Sequence, residues 1–131
     1  MDHDKTRTLA ERYTEAWCSQ TPSKVASFYE EDGSLSVNGG APAIGRSTIT
    51  EVARGFMTDF PDLTVQLDDL AFLDQQIRYH WTLTGTNTDQ NGAERKISIS
   101  GYEVWEIGMT GLIATSRGHF DSEEYQRQMN A

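Results

Sequence analysis

The chain has 131 residues and a formal net charge of −9, from 11 basic residues against 20 acidic ones. A single domain near this length buries about two-thirds of the surface its unfolded chain exposes. No apolar run approaches the ~20 residues of a membrane span, and the scattered basic residues argue against nucleic acid and anionic membranes as partners.

The polar start Met1-Asp2-His3-Asp4-Lys5 lacks the apolar core of a secretion signal, so a cytoplasmic protein is expected. No repeat, low-complexity stretch or linker divides the chain, and residues 1–131 read as one domain. The pattern predicts a first helix from Lys5 to Cys18, with Leu9, Tyr13, Ala16 and Trp17 on one face. Cys18 is the only cysteine. It cannot form an internal disulfide, and beside Trp17 it reads as a small packing residue. A short second helix follows, with Thr21 as N-cap, Pro22 in its first turn, and Val25, Phe28 and Tyr29 as its apolar stripe. Asp32-Gly33 is expected to end it, and Ser34 to Asn38 reads as a short strand. After the loop Asn38-Gly39-Gly40-Ala41-Pro42, Thr48 and Glu51 have capping-box spacing and are expected to open a third helix. Its buried stripe is Ile49, Val52, Phe56 and Phe60, and Pro61 stops it.

The rest is mostly strand. Leu63, Val65 and Leu67 alternate with polar residues until Asp68-Asp69 shifts the phase, which predicts a β-bulge. Ile77, Tyr79, Trp81 and Leu83 form one face of the next strand; Arg78, His80, Thr82 and Thr84 form the other. Asn91-Gly92 marks a hairpin turn. The run Lys96 to Ile107 follows, then the turn Gly108-Met109-Thr110-Gly111 and a last strand from Leu112 to Phe120. Asp121 and Glu124 have capping-box spacing and open a tail helix. Helices followed by an antiparallel meander make an α+β domain: a curved sheet packed on three N-terminal helices, closing over them as a cone with an apolar interior.

Glu103 stands out in this frame. It shares a strand face with Ile97, Ile99, Gly101, Trp105 and Ile107. A carboxylate is costly to bury charged, so it stays protonated, finds a partner or lines a wet cavity. Tyr13, Trp17, Tyr79, Trp81 and Trp105 point into the same interior with polar tips that need partners. Solid packing and a ligand pocket remain alternatives at this point.

Other chemistry is missing from the pattern. His3, His80 and His119 lack metal-ligand spacing, and no phosphate loop, nucleophile elbow or Ser/His/Asp ordering is present, so neither a metal nor a cofactor is expected. On the last strand Ile113, Thr115, Arg117 and His119 read as outward. Leu112, Ala114, Ser116, Gly118 and Phe120 read as inward. His80 reads as outward with Arg78, and Asp121 reads as a helix cap.

This layout resembles the nuclear transport factor 2-like superfamily and, within it, the SnoaL-like polyketide cyclases. The resemblance spans nearly the whole chain. It rests on Ala16-Trp17, the passage Phe28-Tyr29-Glu30-Glu31-Asp32-Gly33, Gly45-Arg46, the run Trp81-Thr82-Leu83-Thr84-Gly85-Thr86 and the closing Gly118-His119-Phe120-Asp121. It also extends to the ketosteroid isomerase branch. It implies that Tyr13 stands where that branch has an oxyanion-hole tyrosine, and Glu103 where it has a protonated acid. The branch's general-base aspartate falls at Val37 or Asn38, and a cyclase aspartate on the last strand falls at about Gly118. Neither arrangement has its acid here.

The expectation is therefore a homodimer through the outer sheet face, holding a small, mostly apolar carbonyl or hydroxyl compound. Tyr13 and Glu103 would be the catalytic pair. Trp17, Asn38, Phe56, Tyr79, Trp81, Trp105 and Ser116 would contact the ligand. The activity implied is a cyclase, isomerase or lyase acting next to a carbonyl. The alternatives are a binding module without turnover and a solidly packed dimerisation module.

Overall fold

A computed structural model describes residues 2–131. The chain runs α1 (His3–Cys18), α2 (Pro22–Ala26), β1 (Tyr29–Val37), β2 (Ala43–Ile44), α3 (Arg46–Asp59), β3 (Thr64–Leu73), β4 (Gln76–Thr88), β5 (Glu94–Ile107), β6 (Ile113–Phe120) and α4 (Ser122–Met129). The strands form one six-stranded sheet, ordered β2-β1-β6-β5-β4-β3, which is curled but unclosed. The helices pack on its inner face, and their apolar stripes meet the inward side chains of β3 to β6 in one core. This is the expected α+β architecture. One pair departs from the antiparallel pattern: β1 runs parallel to β6. The two strands lie at opposite ends of the chain, so no hairpin dictates their relative direction. No helix among the described residues is long and apolar enough to cross a membrane.

The period-two reading of β3 to β5 matches the register. Ile77, Tyr79 and Leu83 are buried on β4, and Ile97, Ile99, Glu103 and Trp105 on β5. The β3–β4 pairing slips between Leu67 and Asp69, where the bulge was expected. Asp121 caps α4 by accepting from the Glu124 amide at 3.1 Å. Glu124 does not complete the box, because its carboxylate turns to Arg127 instead.

Four local expectations are corrected. The second helix ends at Ala26, and Tyr29 opens β1 rather than closing a helical stripe. Asp32-Gly33 lies within β1, where the pairing with β6 slips between Tyr29 and Ser34. The third helix starts at Arg46 behind Gly45, whose φ of 90° puts it in a region that suits glycine. Thr48 is therefore already inside the helix, and Glu51 pairs with Arg54. Ile113, expected outward, is fully buried. Ile107 pairs with Ile113 but Glu106 with Thr115, so Ala114 is an extra residue that reverses the face. Beyond it Ser116 and Gly118 face inward as expected.

The buried stripe of α3 is also broader than expected. Ile49, Ala53 and Met57 are the buried residues, while Val52 and Phe56 stay partly open because they face a hollow. The tail helix α4 has no buried residue. Tyr125 packs it against Phe60 and Phe120. Gln128 fastens it to β5: its Nε2 donates to the Ser98 carbonyl at 2.9 Å and its Oε1 accepts from the Ser98 amide at 2.8 Å.

Candidate functional site

The hollow between α1, α3 and the sheet is a cavity of about 70 Å³. Trp17 comes from α1, Val52 and Phe56 from α3, Leu35 and Val37 from β1 and Val65 from β3. The floor is Tyr79, Trp81 and Leu83 of β4, Ile99 and Glu103 of β5, and Gly118 and Phe120 of β6; Tyr125 of α4 closes one side. Among the described residues, Glu103 is the only one in its wall that bears a carboxyl. An apolar cavity of roughly 150 Å³ is known to take benzene. This one is smaller as it stands and suits a small molecule or the tip of a larger one.

Gly101 shapes the floor. It pairs with Trp81 on one side and Phe120 on the other. A Cβ there would lie 2.7 Å from Trp81 Cζ2 and 3.0 Å from Phe120 Cβ. The absence of a side chain lets the indole of Trp81 lie across β5 and reach Phe120, 6.1 Å away between ring centroids.

Behind the cavity wall lies a polar cluster. Glu103 Oε1 accepts three hydrogen bonds: from Ser116 Oγ at 2.6 Å, from Trp105 Nε1 at 2.9 Å and from the Tyr13 hydroxyl at 3.0 Å. Strand register aligns the first two, since Trp105 pairs with Ser116 and Glu103 with Gly118. The Tyr13 hydroxyl also meets that of Tyr29 at 2.9 Å. Tyr13 has spent its one proton on Glu103, so Tyr29 is the donor in that pair. No donor among the described residues reaches Oε2. That oxygen is not sealed in the protein either, and Glu103 lines the cavity, so Oε2 is the carboxyl atom open to it.

Burial raises the Glu103 pKa above the ordinary glutamate value, and the donors on Oε1 offset this only in part. The ion pairs among the described residues lie elsewhere, at Arg54–Glu51, Arg95–Asp89, Arg117–Glu106 and Arg127–Glu124. Burial, reinforced by the Glu103 charge, raises Tyr13 and Tyr29 as well. Burial also raises Tyr79, whose hydroxyl hydrogen-bonds Thr14 of α1.

The residues singled out in the sequence divide into three groups. Trp17, Phe56, Tyr79, Trp81 and Glu103 line the cavity. Tyr13, Trp105 and Ser116 are fully buried and stand behind Glu103, outside the cavity wall. Asn38 does neither: it is exposed at the end of β1, its φ is 50°, and its Oδ1 accepts from the Phe120 amide at 2.9 Å. A chain turning out of a strand there needs that cap, which moves the side chain away from the cavity. His80 and His119 lie on the outer sheet face, flanking Tyr102 at centroid distances of 5.7 and 5.0 Å. Among the described residues no cluster of His, Cys, Asp or Glu could hold a metal.

Among the participants that the sequence reading missed, four stand out. Tyr29 was hidden by its assignment to a helix. Tyr125 sits on a helix whose polar composition hid its one inward ring. Val37 and Gly118 were considered for the site only as places without an acid, although Gly118 was read as inward; both line the cavity and make it apolar there.

Structural relatives share this architecture. A protein from Catenulispora acidiphila with a ketosteroid isomerase-like fold, solved in complex with trimethylamine, superposes with a TM-score of 0.80 at 13% identity, over 92% of this chain and 90% of that one. An NTF2-like protein of unknown function from Burkholderia pseudomallei gives 0.81 at 19% identity, covering 100% of both chains. SalBIII, an epoxide hydrolase/cyclase-like enzyme of pyran ring formation in the polyether salinomycin, gives 0.80 at 16% identity, over 94% of this chain and 95% of that one. No curated protein matches the chain. The family model for the SnoaL-like polyketide cyclases matches residues 7–129, and the chain belongs to that family.

Proposed function

We propose that the chain binds a small, mostly apolar carbonyl or hydroxyl compound in this cavity, with the ligand oxygen on Oε2 of a protonated Glu103. The supporting observation is the division of labour within one carboxyl group: Oε1 is saturated by three protein donors, and Oε2 opens onto an apolar cavity. A neutral carboxyl there donates a hydrogen bond without the cost of a buried charge. Tyr13 acts on Glu103 and not on the ligand, because its proton is already committed.

A single carboxyl suits a cyclisation or isomerisation next to a carbonyl. In such a step the proton given to one oxygen of the substrate is returned from another of its atoms to the resulting carboxylate. The net reaction consumes neither water nor an oxidant, and no second acid is required. Non-catalytic binding is the second reading. It is favoured by the cavity wall, where Val37 and Gly118 offer no second group that could take a proton.

Titration with cyclopentanone and with methylenecyclopentane, which has the same shape without the oxygen, tests the reading. Indole N–H signals of Trp17 and Trp81 in heteronuclear NMR report occupancy. The ketone should bind roughly tenfold more tightly, the equivalent of one net hydrogen bond of about 1–1.5 kcal/mol. Glu103→Gln, whose amide also donates, should retain this preference, and Glu103→Ala should abolish it. Equal binding of the two probes to the wild-type protein would disprove the proposal.

A further inference from the structure

We propose that Ser116 is a positioning residue that, together with Tyr13 and Trp105, assigns the acid proton of Glu103 to Oε2. This rests on the functional reading above and adds the means by which the acid acquires direction. Ser116 was expected to touch the ligand. Its hydroxyl instead forms the shortest of the three bonds to Oε1, at 2.6 Å, from a fully buried position.

The argument is one of proton accounting. Ser116, Trp105 and Tyr13 each have one hydrogen to give, and each gives it to Oε1. Tyr29 in turn donates to Tyr13, so no hydroxyl in the cluster is left to turn the other way. A carboxylic acid has one accepting oxygen and one bearing the proton. An oxygen facing three donor hydrogens is the accepting one, and the proton belongs to its partner. Rotating the carboxyl by half a turn would point a hydroxyl, a weaker acceptor carrying its own hydrogen, at those three donors and weaken their bonds.

The opposite side of Glu103 is open. Gly118 is its cross-strand partner on β6 and carries no side chain; even a Cβ there would stay 3.8 Å from Glu103 Cγ. The titratable groups that face Glu103 are Tyr13 from α1, Tyr29 from β1 and Tyr79 from β4. Burial keeps all three neutral above the ordinary tyrosine range, so none competes for the acid proton. Donors on the accepting oxygen also polarise the carboxyl and strengthen the bond it donates from the other oxygen.

The test follows the Glu103 carboxyl carbon by NMR against pH, alongside cyclopentanone binding. Ser116→Ala removes a donor that favours the charged form. The Glu103 pKa should rise above its wild-type value, and the pH at which cyclopentanone binding is lost should move up with it. Below that pH, affinity should fall by roughly 2- to 10-fold. A residue that only fills space would change stability and leave both pH readings where they were. Should Ser116→Ala fail to fold, Trp105→Phe removes another donor and carries the same expectation. Unchanged or lowered pH readings overturn the assignment while the functional reading stands. Wild-type protein that does not prefer cyclopentanone overturns the functional reading, and the carboxyl titration still decides the role of Ser116.

Discussion

Replacing Glu103 by Gln separates the charge of the site from its shape. The Gln carbonyl can accept from Tyr13, Trp105 and Ser116 as Oε1 does, and its amide nitrogen takes the place of Oε2 beside the cavity. In the wild type, burial holds the Glu103 carboxyl above its ordinary value. Below the pKa of an unfolded glutamate, about 4.3, both folded and unfolded wild type carry the proton, and the two proteins should be similarly stable. Between that pH and the folded pKa only the folded wild type holds it. The folded state then binds more protons than the unfolded one, so wild-type stability falls as pH rises. The slope reaches about 1.4 kcal/mol per pH unit inside the window and vanishes above it. The variant has no proton to lose and lacks this contribution. Urea unfolding at fixed protein concentration, from about pH 4 to about pH 9, measures the difference provided the m-value is unchanged. Glu103→Gln should match wild type at the acid end and gain on it with each step upward until a plateau. Glu103→Ala should lie well below Glu103→Gln throughout, since each stranded buried donor costs about 1–3 kcal/mol. A wild-type advantage over Glu103→Gln that grows with pH would mean a charged native carboxylate and would refute the reasoning.

Gly101→Ala should destabilise the fold by about 1–3 kcal/mol or more through overpacking against Trp81, Phe120 and the His119 carbonyl, read as a lowered thermal midpoint. A near-neutral midpoint would show that the indole of Trp81 has another resting place. The outer face, where Arg78 lies over the Tyr102 ring and its Nε is buried without a partner, should be an isologous interface. Sedimentation equilibrium at micromolar concentration should then give twice the chain mass, and a clean monomer would refute this. Chelators should leave cyclopentanone binding intact, and a stoichiometric transition metal in elemental analysis would contradict that expectation.

Much of this fold is legible in the sequence because strand periodicity is strong where one face is apolar. Ile77, Tyr79 and Leu83 on β4, and Ile97, Ile99, Glu103 and Trp105 on β5, take the face their alternation predicts. Two of the failures come from irregularities in strand pairing. Ala114 advances the chain by one position, and Ile113 exchanges faces with no change in composition to announce it. Asp32-Gly33 reads as a helix stop when the helix has already ended and the pair lies in an irregular stretch of β1. At the site, alternation identifies Glu103 and its inward neighbours. It says nothing about depth along the inward direction, so it cannot separate Trp81, which touches the cavity, from Trp105, which stands behind it. That division depends on how far each indole reaches once Gly101 has cleared a path for one of them.

The clasp between Gln128 and Ser98 bears on solubility as well as on the cavity. Strand β6 covers β5 only from Gly101 to Ile107, so the stretch from Glu94 to Ser100 has no strand on that side. An uncovered row of backbone amides and carbonyls is a template for another chain to pair with. The side-chain amide of Gln128 offers Ser98 one acceptor and one donor, as a neighbouring strand would. Farther along the same edge, Arg95 Nε donates to the Ala131 carbonyl at 2.9 Å. The tail thus imitates the missing end of β6 and ends the sheet there, and a chain cut before Asp121 would carry an open edge on which other chains could pair.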